Sequence, residues 1–164
     1  MPYLEPRVGE ARARRWFERR RPGNLWGLLT GATTRDSARP QRIFIPYYRV
    51  PVVRRGMDSP SPTAACVDAI GGSFSFLHDA TLREGEPEGE VLPALLTPEE
   101  ALECARQGLL TAVLGRRGGR KEIDLSLDGS PELFAYPLWV WLYERRGGSL
   151  DIRVLDAISG ERAG

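Results

Sequence analysis

The sequence predicts an α+β protein in which two related helix-strand-strand halves form a largely antiparallel sheet with helices packed on one face. Three observations carry that reading. Two stretches combine helical spacing with helix-start chemistry, four are rich in Val, Ile and aromatic residues broken by Gly or Pro, and two sequence blocks recur in the same order. A chain of 164 residues is long enough for one domain with a sizeable core. The expected organisation is a first half over 1–77, an acidic connector over 78–96 and a second half over 97–164.

The clearest helix is "LTPEEALECARQGLLTAVLGRRGG". Thr97 can cap it, Pro98 suits the first helical position, and Glu100 completes a capping box. Ala101, Ala105, Leu109, Ala112 and Val113 recur at helical spacing, and Gly115 is a natural stop. An earlier helix is expected in "EPRVGEARARRWFERRRPG", with a proline in its first turn, an Ala11, Ala13, Trp16, Phe17 stripe and a Pro-Gly end.

The strands come in pairs. "RIFIPYYRVPVVRR" precedes "TAACVDAIGGSFSFL", and "YPLWVWLYERRGG" precedes "SLDIRVLDAISG", which is the composition of hairpins. A further short strand is expected in "KEIDLSLDG", where Ile123, Leu125 and Leu127 alternate with polar residues. The stretch from about His78 to Pro93 is acidic, carries Gly and Pro, and has no period.

The repeat is visible without a gap when "IPYYRVPVVRRG" from Ile45 is laid over "YPLWVWLYERRG" from Tyr136, an offset of 91 residues. Pro46 meets Pro137 and Tyr48 meets Trp139. Further on, "VDAIGG" from Val67 meets "LDAISG" from Leu155 at an offset of 88, bringing Asp68 onto Asp156 and Gly72 onto Gly160. At the offset of 91 the Ala11 to Phe17 segment falls opposite Leu102 to Gly108. Asp accepts hydrogen bonds from backbone a few residues on, and Gly supplies positive φ, so Asp68, Gly72, Asp156 and Gly160 read as structural turns.

A helix, an aromatic strand, a glycine-containing turn and a strand closing on Asp-Ala-x-x-Gly, here "DAISGE" and more weakly "DAIGGS", resembles the PepSY group of small modules. The resemblance covers Thr97 to Arg162 and, more loosely, Arg7 to Phe76. It implies a cystatin-like helix-on-sheet arrangement in a non-catalytic module, in some cases one that restrains a protease or sits in an envelope protein. This chain departs from that setting because it shows no export signal.

No catalytic or metal constellation emerges. The single histidine, His78, cannot be placed in a triad, Cys66 and Cys104 lack metal or redox spacing and read as buried thiols, and no carboxylate cluster has loop-like spacing outside the connector. "GRRGGRK" has the wrong glycine order for a phosphate loop. No cofactor is expected. Met1 to Arg21 holds seven arginines against three glutamates, but the formal net charge of +1 argues for no particular partner. No apolar run of about 18 residues crosses a membrane and no secretory leader is seen, so a cytoplasmic setting is expected.

Strand alternation sends Tyr136, Leu138, Val140 and Leu142 to one face and Trp139, Trp141 and Tyr143 to the other. With helices on one side, the remaining face must meet something. The candidate partner face is Trp139, Trp141, Tyr143 and Tyr48 with Arg145 and Arg146 beside it. Three occupants fit: the chain's own "NLWGLLTG" with Trp26, a second copy in a homodimer, or nucleic-acid bases stacked on the rings. The leading function is a non-catalytic interaction or regulatory module with a protein partner or homodimer. Nucleic-acid binding is the alternative, and an enzyme with an unrecognised site comes behind both.

Overall fold

The computed structural model describes residues 1–19, 39–55, 63–78, 81–114, 124–144 and 150–163. The strands are β1 (Tyr3–Leu4), β2 (Gln41–Arg55), β3 (Thr63–Asp68), β4 (Phe74–His78), β5 (Leu82–Arg83), β6 (Glu90–Val91), β7 (Asp124–Leu127), β8 (Glu132–Glu144) and β9 (Leu150–Asp156). The helices are α1 (Glu10–Arg19) and α2 (Pro98–Leu114). The protein is α+β with a mostly antiparallel open sheet. The β2/β3, β2/β7, β3/β4, β8/β9 and β1/β5 pairings are antiparallel, and β1 runs parallel to β8.

The chain forms two compact units, one of Met1–Leu4, Ile45–Pro87 and Val91–Tyr136, the other of Glu5–Phe44, Glu88–Glu90 and Pro137–Gly164. Boundaries fall inside β2, β6 and β8. Each unit therefore draws on distant parts of the sequence, a grouping different from 1–77 and 97–164.

In the first unit the strands lie in the order β4-β3-β2-β8-β1-β5, with β7 also paired to β2. Helix α2 packs on β3 and β4. Tyr48 and Val50 of β2, Ala65 and Val67 of β3, Ala69, and Ala101 and Ala105 of α2 make one buried cluster. Small residues let the helix come close: a Cβ on Gly108 would stand 2.1 Å from Cγ of Phe74. The helix starts on a reciprocal capping box. The Thr97 amide donates to Glu100 Oε2 at 2.8 Å and the Glu100 amide donates to Thr97 Oγ1 at 3.3 Å. The stop expected at Gly115 lies outside the described residues, as does Ile123.

Between β3 and β4 the chain turns on Asp68. Its Oδ1 accepts from the Ile70 amide at 2.9 Å, its carbonyl accepts from the Gly72 amide at 2.8 Å, and Gly72 has a φ of 73°. The amides of Leu95 and Leu96 donate to the Ala69 carbonyl, which fixes where α2 begins.

In the second unit α1 packs with β8 and β9. Val8, Ala13, Phe17, Trp139, Trp141, Leu155 and Ala157 form its buried cluster, with Trp16 against it. Asp156 turns the chain after β9: Oδ1 accepts from the Ile158 amide at 2.7 Å, the carbonyl accepts from the Gly160 amide at 3.0 Å, and Gly160 has a φ of 76°. The amides of Arg7 and Val8 donate to the Ala157 carbonyl at 2.9 Å. Helix α1 begins at Glu10, later than Pro6 suggested, because the preceding residues are tied to that carbonyl in a non-helical conformation.

The acidic stretch expected to be a plain connector contains β5 and β6. Strand β5 pairs with β1, matching Tyr3 to Arg83 and Leu4 to Leu82, and the N-terminal amine donates to the Gly85 carbonyl at 3.3 Å. No helix of the described residues is long and apolar enough to cross a membrane.

Candidate functional site

The rings expected to face a partner belong to the core. Trp139 and Trp141 are 5% and 6% exposed and lie under α1, where Phe17 and Trp141 have ring centroids 5.3 Å apart. The Trp139 indole N–H donates to the Val8 carbonyl at 2.7 Å, and the Arg42 guanidinium stands 5.6 Å from the Trp139 ring centroid. Tyr48 is also buried, with its hydroxyl donating to the Leu96 carbonyl at 3.1 Å. A buried Trp or Tyr needs an acceptor for its polar edge. The chain entering each helix supplies one, so within its own unit each helix covers these rings.

Tyr143 is paired with Asp151 in the ladder, and its side chain lies outside the described residues. Arg145, Arg146 and Trp26 lie outside them as well. The expected face thus comes together only as Trp139 with Trp141, and as Tyr48 in the other unit. Asp68, Gly72, Asp156 and Gly160 all sit in turns, each aspartate holding amides two to four residues ahead.

The opposite face of the first unit is partly polar. Tyr47 lies 6.0 Å from Phe134 and 5.3 Å from Tyr136 between ring centroids, and Arg49 Nε donates to Glu132 Oε2 at 3.1 Å. Cys66 is buried beside this pair. Burial pushes its thiol up to about 12, against a smaller opposing pull from Arg49, so it stays protonated and unreactive at neutral pH. His78 stacks loosely on Phe76, at 6.3 Å.

The first unit also carries an open apolar groove of about 400 Å³ between α2 and β7. Leu102, Leu109, Leu110 and Val113 form its helical wall, and Leu125, Leu127 and Gly129 form the strand wall. Among the described residues its single charged lining residue is Arg106, whose side chain is mostly exposed and 3.6 Å from Glu103. Leu110 is 60% exposed, and Leu114 and Val113 beside it are also exposed. A volume of this size accepts two or three medium side chains.

Sequence reasoning passed over this groove although its signal was present. The stripe that explains burial in α2 uses Ala101, Ala105 and Leu109. Leu110 and Leu114 fall outside it and stay exposed, giving the helix a second apolar flank larger than one sheet contact requires. The alternation of Leu125 and Leu127 supplies the other wall. Among the described residues the groove's lining is mostly apolar, so they would recognise an occupant chiefly by apolar contact. Comparison with protein-family models, with curated proteins and with solved structures gives no match to this chain.

Proposed function

We propose that the protein is a non-catalytic interaction module built from two related helix-on-hairpin units, akin to the PepSY group, and that its first unit holds an apolar polypeptide segment of a partner protein. The open groove between α2 and β7 carries the proposal. Apolar side chains left exposed along one helix, facing a strand wall of leucines across a volume suited to side chains, favour a partner over bulk water.

The kinship of the two units is supported by their matching hydrogen bonds. Asp68 and Asp156 make like turns, Ala69 and Ala157 each donate to a proline carbonyl, Pro46 and Pro137, and each accepts from the two residues that lead into a helix. The helices then correspond at an offset of 88 residues, Ala13 with Ala101 and Phe17 with Ala105, in place of the 91 that the aromatic strands suggested. Self-association through Trp139 and Trp141 loses its support because their rings are buried.

The test is a binding titration of the full chain with a panel of blocked hexapeptides. The panel alternates Thr with Leu, Val, Ile or Phe and carries one Asp at either end. The expected result is saturable binding by at least one member at about 1 mM or below, lost in Leu110→Glu, a variant that melts like the parent because Leu110 is exposed. No binding across the panel, or binding indifferent to Leu110→Glu, contradicts the reading.

A further inference from the structure

Among the described residues strand β7 has one side paired in the sheet and one side unpaired, and the two can be told apart by hydrogen-bond parity. The Asp128 amide donates to the Pro51 carbonyl at 2.9 Å, so Asp128 and Pro51 form a hydrogen-bonded pair. In an antiparallel ladder such pairs alternate with non-bonded ones. With Val53 opposite Ser126 and Arg55 opposite Asp124, the main-chain groups of Ser126 and Asp124 also point at β2. Those of Leu125 and Leu127 therefore point away from β2.

No strand pairs with β7 on that outer side among the described residues. The same two residues, Leu125 and Leu127, line the groove beneath α2. At the end of the strand Gly129 has a φ of 86° and open space around its missing side chain. A strand edge with unshared donors and acceptors, set beside an apolar channel walled by a helix, is the arrangement in which an extended peptide adds to a sheet.

We propose that the groove's occupant is an extended peptide that pairs with Leu125 and Leu127 as an added strand, with alternate apolar side chains under α2 and an acidic group beside Arg106. The main chain supplies a pattern any extended segment can match, and the leucine-lined walls select apolar residues at every second position. Among the described residues Arg106 is the one cation lining the groove, and its partner Glu103 is held only loosely at the exposed helix surface, so an acid on the ligand has a cation to meet. This proposal rests on the groove reading above and adds the mode of binding to it.

Backbone N-methylation of the tightest peptide in the panel tests it. Each amide is methylated in turn, which removes one donor and blocks close strand approach. Methylation of the alternate amides facing Leu125 and Leu127 is expected to weaken binding at least about tenfold, while methylation of the intervening amides leaves it within about twofold. Hydrogen exchange at the Leu125 and Leu127 amides is expected to slow on peptide addition. Arg106→Gln is expected to weaken peptides carrying Asp and spare those with Asn in its place. Equal effects of methylation at every position, with binding still sensitive to Leu110→Glu, would overturn strand addition while leaving the groove in place. Binding absent altogether overturns both.

Discussion

The two units bury the same kind of interface with different side chains. In the second, Phe17 of α1 meets Trp141 and Trp139, and the rings fill the space between helix and strands. In the first, Ala101 and Ala105 of α2 meet Tyr48 and Val50 of β2 and Ala65 and Val67 of β3. The helix there comes close over Phe74, and its later turns pass beside β7, where Leu102 and Leu127 pack against the cluster and Leu110 stays exposed. The second unit's contact is aromatic, whereas the first unit's is made largely of small residues and carries an open groove along the leucine flank of α2 beside β7.

The sharpest way to break this contrast is to empty the filled unit. Trp139→Ala removes a buried indole together with its hydrogen bond to Val8 and is expected to cost about 3–5 kcal/mol, read as a lowered denaturation midpoint. A cost below about 1 kcal/mol would return the ring to the surface. In the first unit Tyr48→Phe loses only the hydroxyl bond to Leu96, and the expected cost is about 1 kcal/mol.

Between these lies the close approach of α2 to β4. Gly108→Ala places a Cβ inside the Phe74 ring, and overpacking is expected to cost about 1–3 kcal/mol despite the better helix propensity of alanine. A stabilised variant would mean that the helix stands farther off.

The smallest difference concerns how the helices start. Helix α2 has a capping box, whereas α1 starts from the Gly9 carbonyl, which accepts from Arg12 and Ala13. The Thr97 backbone amide, and then its hydroxyl, hold the Glu100 carboxyl below the usual glutamate range. A carboxyl lowered on folding stabilises the protein above its unfolded pKa, and that contribution is lost as pH falls through the lowered folded value. Glu100→Gln is therefore expected to melt slightly below the parent at neutral pH, with the gap closing in acid. A gap that widens in acid contradicts the capping role.

Much of this was legible in the sequence where chemistry is local. The Thr97, Pro98, Glu100 signature marked α2, the alternation in "YPLWVWLYE" sorted the faces of β8, and the Asp-Ala-x-x-Gly blocks marked both turns. Which helix covers which hairpin was not legible. That choice depends on carbonyls, Val8 and Leu96, whose partners lie 131 and 48 residues away, and no periodicity encodes such distances. The groove was half legible, since its walls were written as surplus leucines but their juxtaposition required the fold.

The pairing of α1 with β8 and β9, and of α2 with β2, β3 and β4, is the claim on which the comparison of units depends. Native-state hydrogen exchange on Phe17→Ala tests it most directly, because Phe17 touches Trp141 and truncation opens only the unit it belongs to. Faster exchange is expected along β9, over 150–156, with β3, over 63–68, unchanged. Faster exchange in β3 with β9 unchanged would contradict the pairing.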